Sequence, residues 1–210
     1  MMSEKGYLDG DVMKATFAML RANDMVWSYV VNNYWMGRDP QAFDMLVWNS
    51  DVTNLPAAFQ SDYLRSMYRD NRLINKGDYV LNGVPMDITS VKTPSYFLSA
   101  KDDHIAPWKA TYRGMRMFSG PHVFTLSGSG HVAGVVNPPA KNKYGYWTST
   151  DAPDSTDAWL KGAAQQSGSW WTHWDKWVSQ GDAKVPARAI KKELAPAPGT
   201  YVLRPKAKKA

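Results

Sequence analysis

The feature that most constrains the fold is an alternation of apolar, strand-length runs with polar loops in the middle of the chain. Residues 94–100, PSYFLSA, form one such run, and the polar loop KDDHIAPW follows it. Helical spacing returns over residues 109–118, and a second strand-like run, HVFTL, covers residues 122–126. This order of strand, loop, helix and strand predicts an α/β fold with a mostly parallel sheet.

Helical and hairpin patterns lie on either side of this alternation. Helical spacing of apolar residues recurs over residues 9–20, 23–37, 57–70 and 154–180. Asn23 and Asp24 are residue types that cap helices, so either could begin the second of these helices. VLNGVPMDITSV, residues 80–91, has the alternation and turn residues of a hairpin or two short edge strands. The last helical stretch holds a tryptophan cluster that we expect to seal an edge of the core: Trp170, Trp171, Trp174 and Trp177.

Composition excludes several classes of function. The chain has no cysteine, which rules out disulfides and Cys-type zinc sites, and its four histidines show no short metal-binding spacing. No stretch approaches the roughly 20 consecutive apolar residues of a membrane helix. The first 20 residues scatter acidic side chains where an export signal needs a basic start and an apolar run. We therefore expect no bound metal, no transmembrane segment and a cytoplasmic location.

The positive charge belongs to the end of the chain. Of 25 basic and 19 acidic residues, eight basic and one acidic lie in residues 184–210, which leaves 17 basic and 18 acidic in residues 1–183. The formal net charge of +6 therefore does not describe a basic fold, and we predict no nucleic-acid interface. We expect a solvated tail, with contact to an anionic surface as the alternative.

The two polar loops after the predicted strands carry the residues that can do chemistry. In open α/β sheets, reactive side chains lie in loops beyond the carboxyl ends of the strands. The first loop offers Asp102, Asp103 and His104, and the second offers His131 between glycines. An acid followed one strand later by a histidine is the order that completes an α/β-hydrolase triad. We predict the pair Asp103 and His131, with Asp102 as the competing acid.

The other histidines and the serines are expected to have structural roles. His104 directly follows the acid and is expected to support it, whereas His122 opens a strand and His173 lies among tryptophans. A triad also needs a nucleophile on a sharp turn of the form G-x-S-x-G or its cysteine equivalent. Ser127 and Ser129 adjoin the histidine loop and cannot form that turn. The sequence therefore indicates half of an active site.

Six local strings resemble class I polyhydroxyalkanoate synthases, in order and over nearly the whole chain. They are NDMVWSYVVNNYWMGRDP, FDMLVWNSDVTNLP, AKDDHIAPW, SGSGHVAGVVNPPAKNKYGYW, GSWWTHWDKWV and PAPGTYV. The resemblance implies an α/β-hydrolase fold with a cap subdomain, and polymerisation of (R)-3-hydroxyacyl groups from coenzyme A thioesters on a cysteine, with release of CoA. It implies no cofactor besides this substrate, a cytoplasmic location at the polyhydroxyalkanoate granule surface, and a homodimer in the full-length family.

Carried over by position, the resemblance implies roles for individual residues. His131 matches the general base that generates the thiolate, and Asp103 matches the catalytic aspartate. That aspartate either orients the histidine or helps to activate the 3-hydroxyl of the incoming unit. Asp51 and Tyr63 match weaker supporting positions. The nucleophile has no counterpart in this chain.

The resemblance also implies a division of the chain. Residues 1–61 correspond to the distal part of the cap, residues 62–183 to the last part of the hydrolase core, and residues 184–210 to a basic extension. The first half of the sheet is missing, so we expect uncovered sheet edges and apolar faces. We expect a fragment of a synthase that is inactive alone; a non-catalytic truncated remnant or granule-associated binding protein is the alternative, and a serine hydrolase a weaker one.

Overall fold

The computed structural model describes residues 2–20, 22–40 and 52–180 and seven residues of the tail. Its α-helices are α1 Met2–Lys5, α2 Gly10–Leu20, α3 Ala57–Tyr63, α4 Trp108–Met115, α5 Thr156–Gly162 and α6 Trp171–Val178. Wider π-helical turns cover Asn23–Trp27, Val30–Trp35 and Leu64–Arg69, and 3₁₀ turns cover Arg72–Ile74, Ile88–Ser90 and Pro139–Lys141. The strands are β1 Tyr7–Leu8, β2 Leu55–Pro56, β3 Val80–Leu81, β4 Val84–Pro85, β5 Ser95–Ala100, β6 His122–Ser127, β7 Tyr146–Thr148 and β8 Ala164–Gln166.

The central sheet contains four strands in the order β5, β6, β7 and β8. β5 and β6 are parallel, with Ser95 opposite His122 and Ala100 opposite Ser127. β7 and β8 then join as antiparallel strands. The fold is therefore mixed α/β, and the prediction of a mostly parallel sheet is wrong for the described residues. The reason lies after β6, where two prolines interrupt the chain and no helix long enough for a parallel crossover forms before β7.

The predicted hairpin forms between β3 and β4. Val80 lies opposite Pro85, and Leu81 lies opposite Val84. The two turn residues, Asn82 and Gly83, have φ values of 49° and 80°. Two consecutive positive φ angles define the tight turn that matches the twist of antiparallel strands, which explains the Asn-Gly pair at this position.

An aromatic core fills one face of the sheet, beneath α4 and α5. The ring of Phe124 in β6 meets the ring of Trp159 in α5 edge to face, with their centroids 4.9 Å apart. Tyr112 in α4 is fully buried, and its hydroxyl donates a 2.6 Å hydrogen bond to the carbonyl of Pro153. The buried apolar cluster comprises Trp108, Tyr112, Met115, Phe124, Leu126 and Trp159. This packing fixes where α4 begins, and thus where the preceding polar loop ends.

The opposite face of the sheet holds a hydrogen-bonded network beneath α6. The hydroxyl of Thr125 donates to Tyr96 Oη at 2.7 Å, and Tyr96 Oη lies 2.8 Å from His173 Nδ1. Burial raises the pKa of Tyr96 to about 12, so the neutral phenol donates to the imidazole. Burial and nearby Lys176 lower the pKa of His173, which keeps that ring neutral.

Two helical predictions need correction. The stretch 154–180 is not continuous, because β8 separates α5 from α6 and adds a strand to the sheet. Neither Asn23 nor Asp24 begins a helix, because Ala22 before them is already helical, at φ −54° and ψ −35°. The helical stretches 9–20 and 57–70 are confirmed within one residue by α2, and by α3 with the π-helical turns that follow it. The predicted domain boundary at residue 61 falls inside α3 and stays a prediction.

Large apolar side chains are exposed over the first part of the chain. Examples are Phe17, Leu20, Tyr34, Trp35 and Met36.

In the described ranges, β5 hydrogen bonds to β6 alone, so its other edge has no strand partner. No helix in these ranges is long and apolar enough to cross a membrane.

Candidate active site

Asp103 and His131 form an ion-pair geometry at the carboxyl end of the parallel strands. Nδ1 of His131 lies 2.7 Å from Oδ2 of Asp103. A carboxylate accepts hydrogen bonds only, so Nδ1 carries the proton and donates. The carboxyl side chain is 7% exposed, whereas the imidazole is 47% exposed. The structure thus brings together the two side chains predicted from the loop order, and it leaves Nε2 of His131 free toward solvent among the described residues.

The loop after β5 holds the Asp103 carboxylate by its own backbone. Oδ1 accepts hydrogen bonds from the N–H groups of Ile105 at 2.8 Å and Ala106 at 2.9 Å. This is the local pattern in which an aspartate closes a turn over the residues that follow it. Sequence reasoning missed these two N–H donors, although an aspartate two residues before a turn signals such an arrangement.

The pKa of Asp103 lies below its ordinary value. Burial raises this pKa, but the N–H of Ala106, the imidazole of His131 and the N–H of Ile105 together lower it by more. The carboxylate is therefore ionised at neutral pH. Because the pKa is depressed on folding, the resulting stabilisation is present above the usual carboxyl pKa of about 3.9 and is lost as the pH falls through the lower folded value.

Backbone hydrogen bonds join the two loops. The N–H of Lys101 donates to the carbonyl of Ser127 at 2.8 Å, which extends the parallel pairing by one residue. The N–H of Asp102 donates to the carbonyl of Ser129 at 3.0 Å. Ser129 adopts a left-handed φ of 72°, which is uncommon for a residue with a side chain and costs on the order of 1 kcal/mol. The acid loop and the histidine loop are thus fixed to one another before their side chains meet.

Close packing at Gly134 shapes the histidine loop. A Cβ atom at this position would lie 2.7 Å from the carbonyl oxygen of Gly128 and 2.8 Å from both Ala100 Cβ and the carbonyl oxygen of Gly130. The hydroxyl of buried Ser127 donates to the carbonyl of Gly134 at 2.5 Å. That hydroxyl is therefore committed to the loop and is not presented as a nucleophile. Both contacts were invisible in the sequence, which showed only a Gly/Ser-rich loop.

The remaining predicted site residues are not part of this pair. Asp102 and His104 are exposed, and neither side chain hydrogen bonds to a described residue. The Tyr63 hydroxyl lies 3.5 Å from that of Tyr68, and neither Asp103 nor His131 is among its hydrogen-bond partners in the described ranges. That contact, with nearby charge and burial, raises the pKa of Tyr63. Asp51 lies outside the described residues, as does most of the basic tail.

The other two histidines have structural contacts. Nδ1 of His122 lies 2.9 Å from the carbonyl oxygen of Gly120, at the start of β6. His173 belongs to the network beneath α6 described above. Within the described ranges, no group of three or more histidine, cysteine, aspartate or glutamate side chains is arranged to hold a metal ion.

An acid–histidine pair on adjacent strand-end loops is an arrangement that base-assisted catalytic sites use. No family model matches the chain. The chain is similar to the "Poly(3-hydroxyalkanoate) polymerase subunit PhaC" of Rhizobium meliloti (strain 1021), with 49% identity over 205 residues. It is also similar to the "Poly(3-hydroxyalkanoate) polymerase" of Methylorubrum extorquens, with 48% identity over 207 residues. A third relative, the PhaC polymerase subunit of Cupriavidus necator, is 44% identical over 201 residues.

These matches cover 93 to 96% of this chain but 33 to 34% of each of the three relatives. The resemblance inferred from the sequence is confirmed: the chain is related over nearly all of its length to a C-terminal portion of the poly(3-hydroxyalkanoate) polymerases. The chain spans about one third of the length of the curated relatives that it matches.

Proposed function

We propose that this chain carries the base and the acid of a thiol-dependent acyltransferase site that polymerises (R)-3-hydroxyacyl-CoA. The observation that carries the proposal is the 2.7 Å contact between Nδ1 of His131 and Asp103, with the imidazole half-exposed. This contact fixes the tautomer, because a proton on Nδ1 leaves the lone pair of neutral His131 on Nε2. Nε2 is then the atom that accepts a proton from a nucleophile.

The nucleophile in this proposal is a cysteine in the part of the polymerase that this chain does not cover. His131 Nε2 removes the thiol proton, and the thiolate attacks the thioester carbonyl of (R)-3-hydroxyacyl-CoA. A new carbon–sulfur bond to cysteine forms as the carbon–sulfur bond to CoA breaks, and the imidazolium returns its proton to the CoA sulfur. The 3-hydroxyl of one unit then attacks the thioester carbonyl of another: the ester carbon–oxygen bond forms as the carbon–sulfur bond of that thioester breaks, and the hydroxyl proton passes to the departing thiolate. The substrate is a CoA thioester, and the proposed reaction needs no cofactor.

Asp103 is proposed to orient and stabilise His131 instead of contacting the substrate hydroxyl. Both of its oxygens are engaged: Oδ1 accepts from two backbone N–H groups, and Oδ2 accepts from the imidazole. Its side chain is almost completely buried, so a substrate hydroxyl has little access to it. A carboxylate in this position stabilises the imidazolium that forms during proton transfer.

The wider architecture is also a proposal drawn from the resemblance. The described four-stranded sheet would be the last part of an α/β-hydrolase core, with residues 1–61 in the cap and residues 184–210 as an extension. Within the described ranges one edge of β5 has no strand partner, which supports this arrangement, because native folds normally pair or cover an exposed sheet edge. We further propose a homodimer at the granule surface in the cytoplasm. The exposed aromatic side chains of the first 36 residues offer apolar surface for such contacts.

The experiment uses a hybrid enzyme in which this chain replaces the aligned third of the Rhizobium meliloti polymerase. The hybrid should release CoA from (R)-3-hydroxybutyryl-CoA and accumulate polyester, whereas the isolated chain should release no CoA above a His131→Ala control, because it has no thiol. Turnover by the isolated chain would reveal a different nucleophile. A folded but inactive hybrid would favour a non-catalytic remnant over an acyltransferase.

The close packing at Gly134 leads to a second prediction for the hybrid enzyme. Gly134→Ala should lower the rate of CoA release at least about tenfold, because the added methyl group would displace the loop that carries His131, and small misplacements of catalytic groups cost large factors. Gly114→Ala is the matched control, since its Cβ would meet nothing within 4 Å and alanine favours a helix. Equal rates for the two variants would show that the loop tolerates the displacement.

A further inference from the structure

A pair of adjacent tryptophans holds the loop that carries His131. The indole Nε1–H groups of Trp170 and Trp171 both donate to the carbonyl oxygen of Val135, at 3.1 Å and 2.9 Å. The planes of the two rings are nearly perpendicular, at 79°, and in this arrangement the Nε1–H groups of two consecutive residues both point to the Val135 carbonyl oxygen. The backbone N–H of Asn137 donates to the same oxygen at 3.1 Å, so three donors share this carbonyl. We call this arrangement, Trp170 and Trp171 on the carbonyl of Val135, the indole clamp.

The clamped carbonyl is connected to His131 by consecutive turns. The N–H groups of Val135 and Val136 both donate to the carbonyl of Val132, at 3.1 Å and 2.8 Å, and that of Gly134 donates to the carbonyl of Gly130 at 2.8 Å. These bonds make residues 130–136 one compact unit. A displacement of the Val135 carbonyl would therefore be transmitted to His131, four residues earlier.

The donors of the clamp are themselves held in place. The N–H of Trp171 donates to the hydroxyl of Ser169 at 3.1 Å, which closes the turn before α6. The ring of Trp170 packs 6.3 Å from that of Tyr96, which is fixed in the network beneath α6. The clamp thus connects the histidine loop to the face of the sheet opposite the aromatic core.

Displacement of the His131 backbone is the motion that the clamp opposes. His131 is half-exposed, and its one hydrogen bond to a described side chain is the bond to Asp103. Its orientation therefore depends on where its backbone lies. We propose that Trp170 and Trp171 are positioning residues of the acyltransferase site, which act by holding the His131 loop through the Val135 carbonyl. This inference rests on the proposed function of His131.

The test is steady-state CoA release by the hybrid enzyme carrying both Trp170→Phe and Trp171→Phe. These changes remove the two indole N–H donors, leave the Asn137 N–H in place and keep aromatic rings. We expect kcat to fall about ten- to a hundredfold, as small misplacements of a catalytic base do, with KM for (R)-3-hydroxybutyryl-CoA within about twofold. Trp174→Phe is the matched control, because Trp174 lies on α6 with Trp171, is 41% exposed, and its indole makes no hydrogen bond to a described residue. It should match the unchanged hybrid.

The melting midpoint, measured for each variant, separates positioning from folding. If the double variant has the same kcat as the Trp174→Phe hybrid, the proposal is overturned. It is also overturned if the loss of kcat is fully explained by a lower melting midpoint of the double variant. If the double variant does not fold, benzothienylalanine at position 171 keeps the bicyclic ring and removes only the N–H, and the same loss of kcat is expected. The His131→Gln hybrid is measured alongside: if it is fully active, the proposed function fails, whereas an inactive His131→Gln hybrid with an active clamp variant refutes the clamp alone.

Discussion

Replacing His131 with glutamine in the hybrid enzyme should lower the rate of CoA release about 10²- to 10⁴-fold, the range expected when a general base is lost. Glutamine has nearly the size of histidine and can still donate a hydrogen bond to Asp103, so the loop should keep its shape. It has no basic nitrogen, however, and cannot take the thiol proton. Initial rates of CoA release and the amount of polyester formed measure the effect.

The control for this change is His104→Gln in the same hybrid. His104 is the neighbouring histidine, is exposed and makes no hydrogen bond to a described residue, so its replacement should leave the rate within about twofold, as is usual for surface substitutions. A mild effect of His131→Gln, comparable to that of His104→Gln, would exclude His131 as the base.

Replacing Asp103 with asparagine should lower the rate by a similar factor, about 10²- to 10⁴-fold, for a different reason. The asparagine oxygen can still accept from the N–H groups of Ile105 and Ala106, where Oδ1 accepts now. The amide NH₂ group then faces His131 and donates to Nδ1. This contact favours the tautomer with the proton on Nε2, which cannot act as a base.

The adjacent carboxylate provides the comparison. Asp102→Asn makes the same chemical change one residue earlier, on a side chain that is exposed and has no hydrogen bond to a described residue, and it should have little effect. Near-equal losses for the two asparagine variants would mean that net charge in the loop matters and that the pairing with His131 does not. If Asp102→Asn lowered the rate more than Asp103→Asn, Asp102 would be the acid in place of Asp103.

The sequence predicted the elements of the fold better than their arrangement. The strands β5 and β6 and the hairpin at Asn82 and Gly83 follow from local apolar runs and turn residues, which act over a few neighbours. β7 and β8 were missed because each has only three residues. Such short strands carry no clear periodicity. β7 forms because it pairs with β6 and buries Tyr146 and part of Trp147, and β8 then pairs with β7.

The candidate site shows the same division between local and distant information. Loop order at the strand ends predicted that Asp103 and His131 would approach, because parallel neighbours deliver their loops to one edge of the sheet. The donors that hold the loops could not be predicted in the same way. The carbonyl of Val135 receives its indoles from 35 and 36 residues away, and no local pattern specifies which atom a distant tryptophan will reach.

The order of the strands in the central sheet has a consequence for how the site assembles during folding. β5, β6, β7 and β8 are neighbours in space in the same order as along the chain. Loop-closure entropy grows with the length of chain enclosed, and sheets built from successive strands form faster than those that wait for distant partners. Asp103 and His131 are only 28 residues apart along the chain. We therefore expect the Asp103–His131 pair to form early in folding, on a nucleus of β5, α4 and β6.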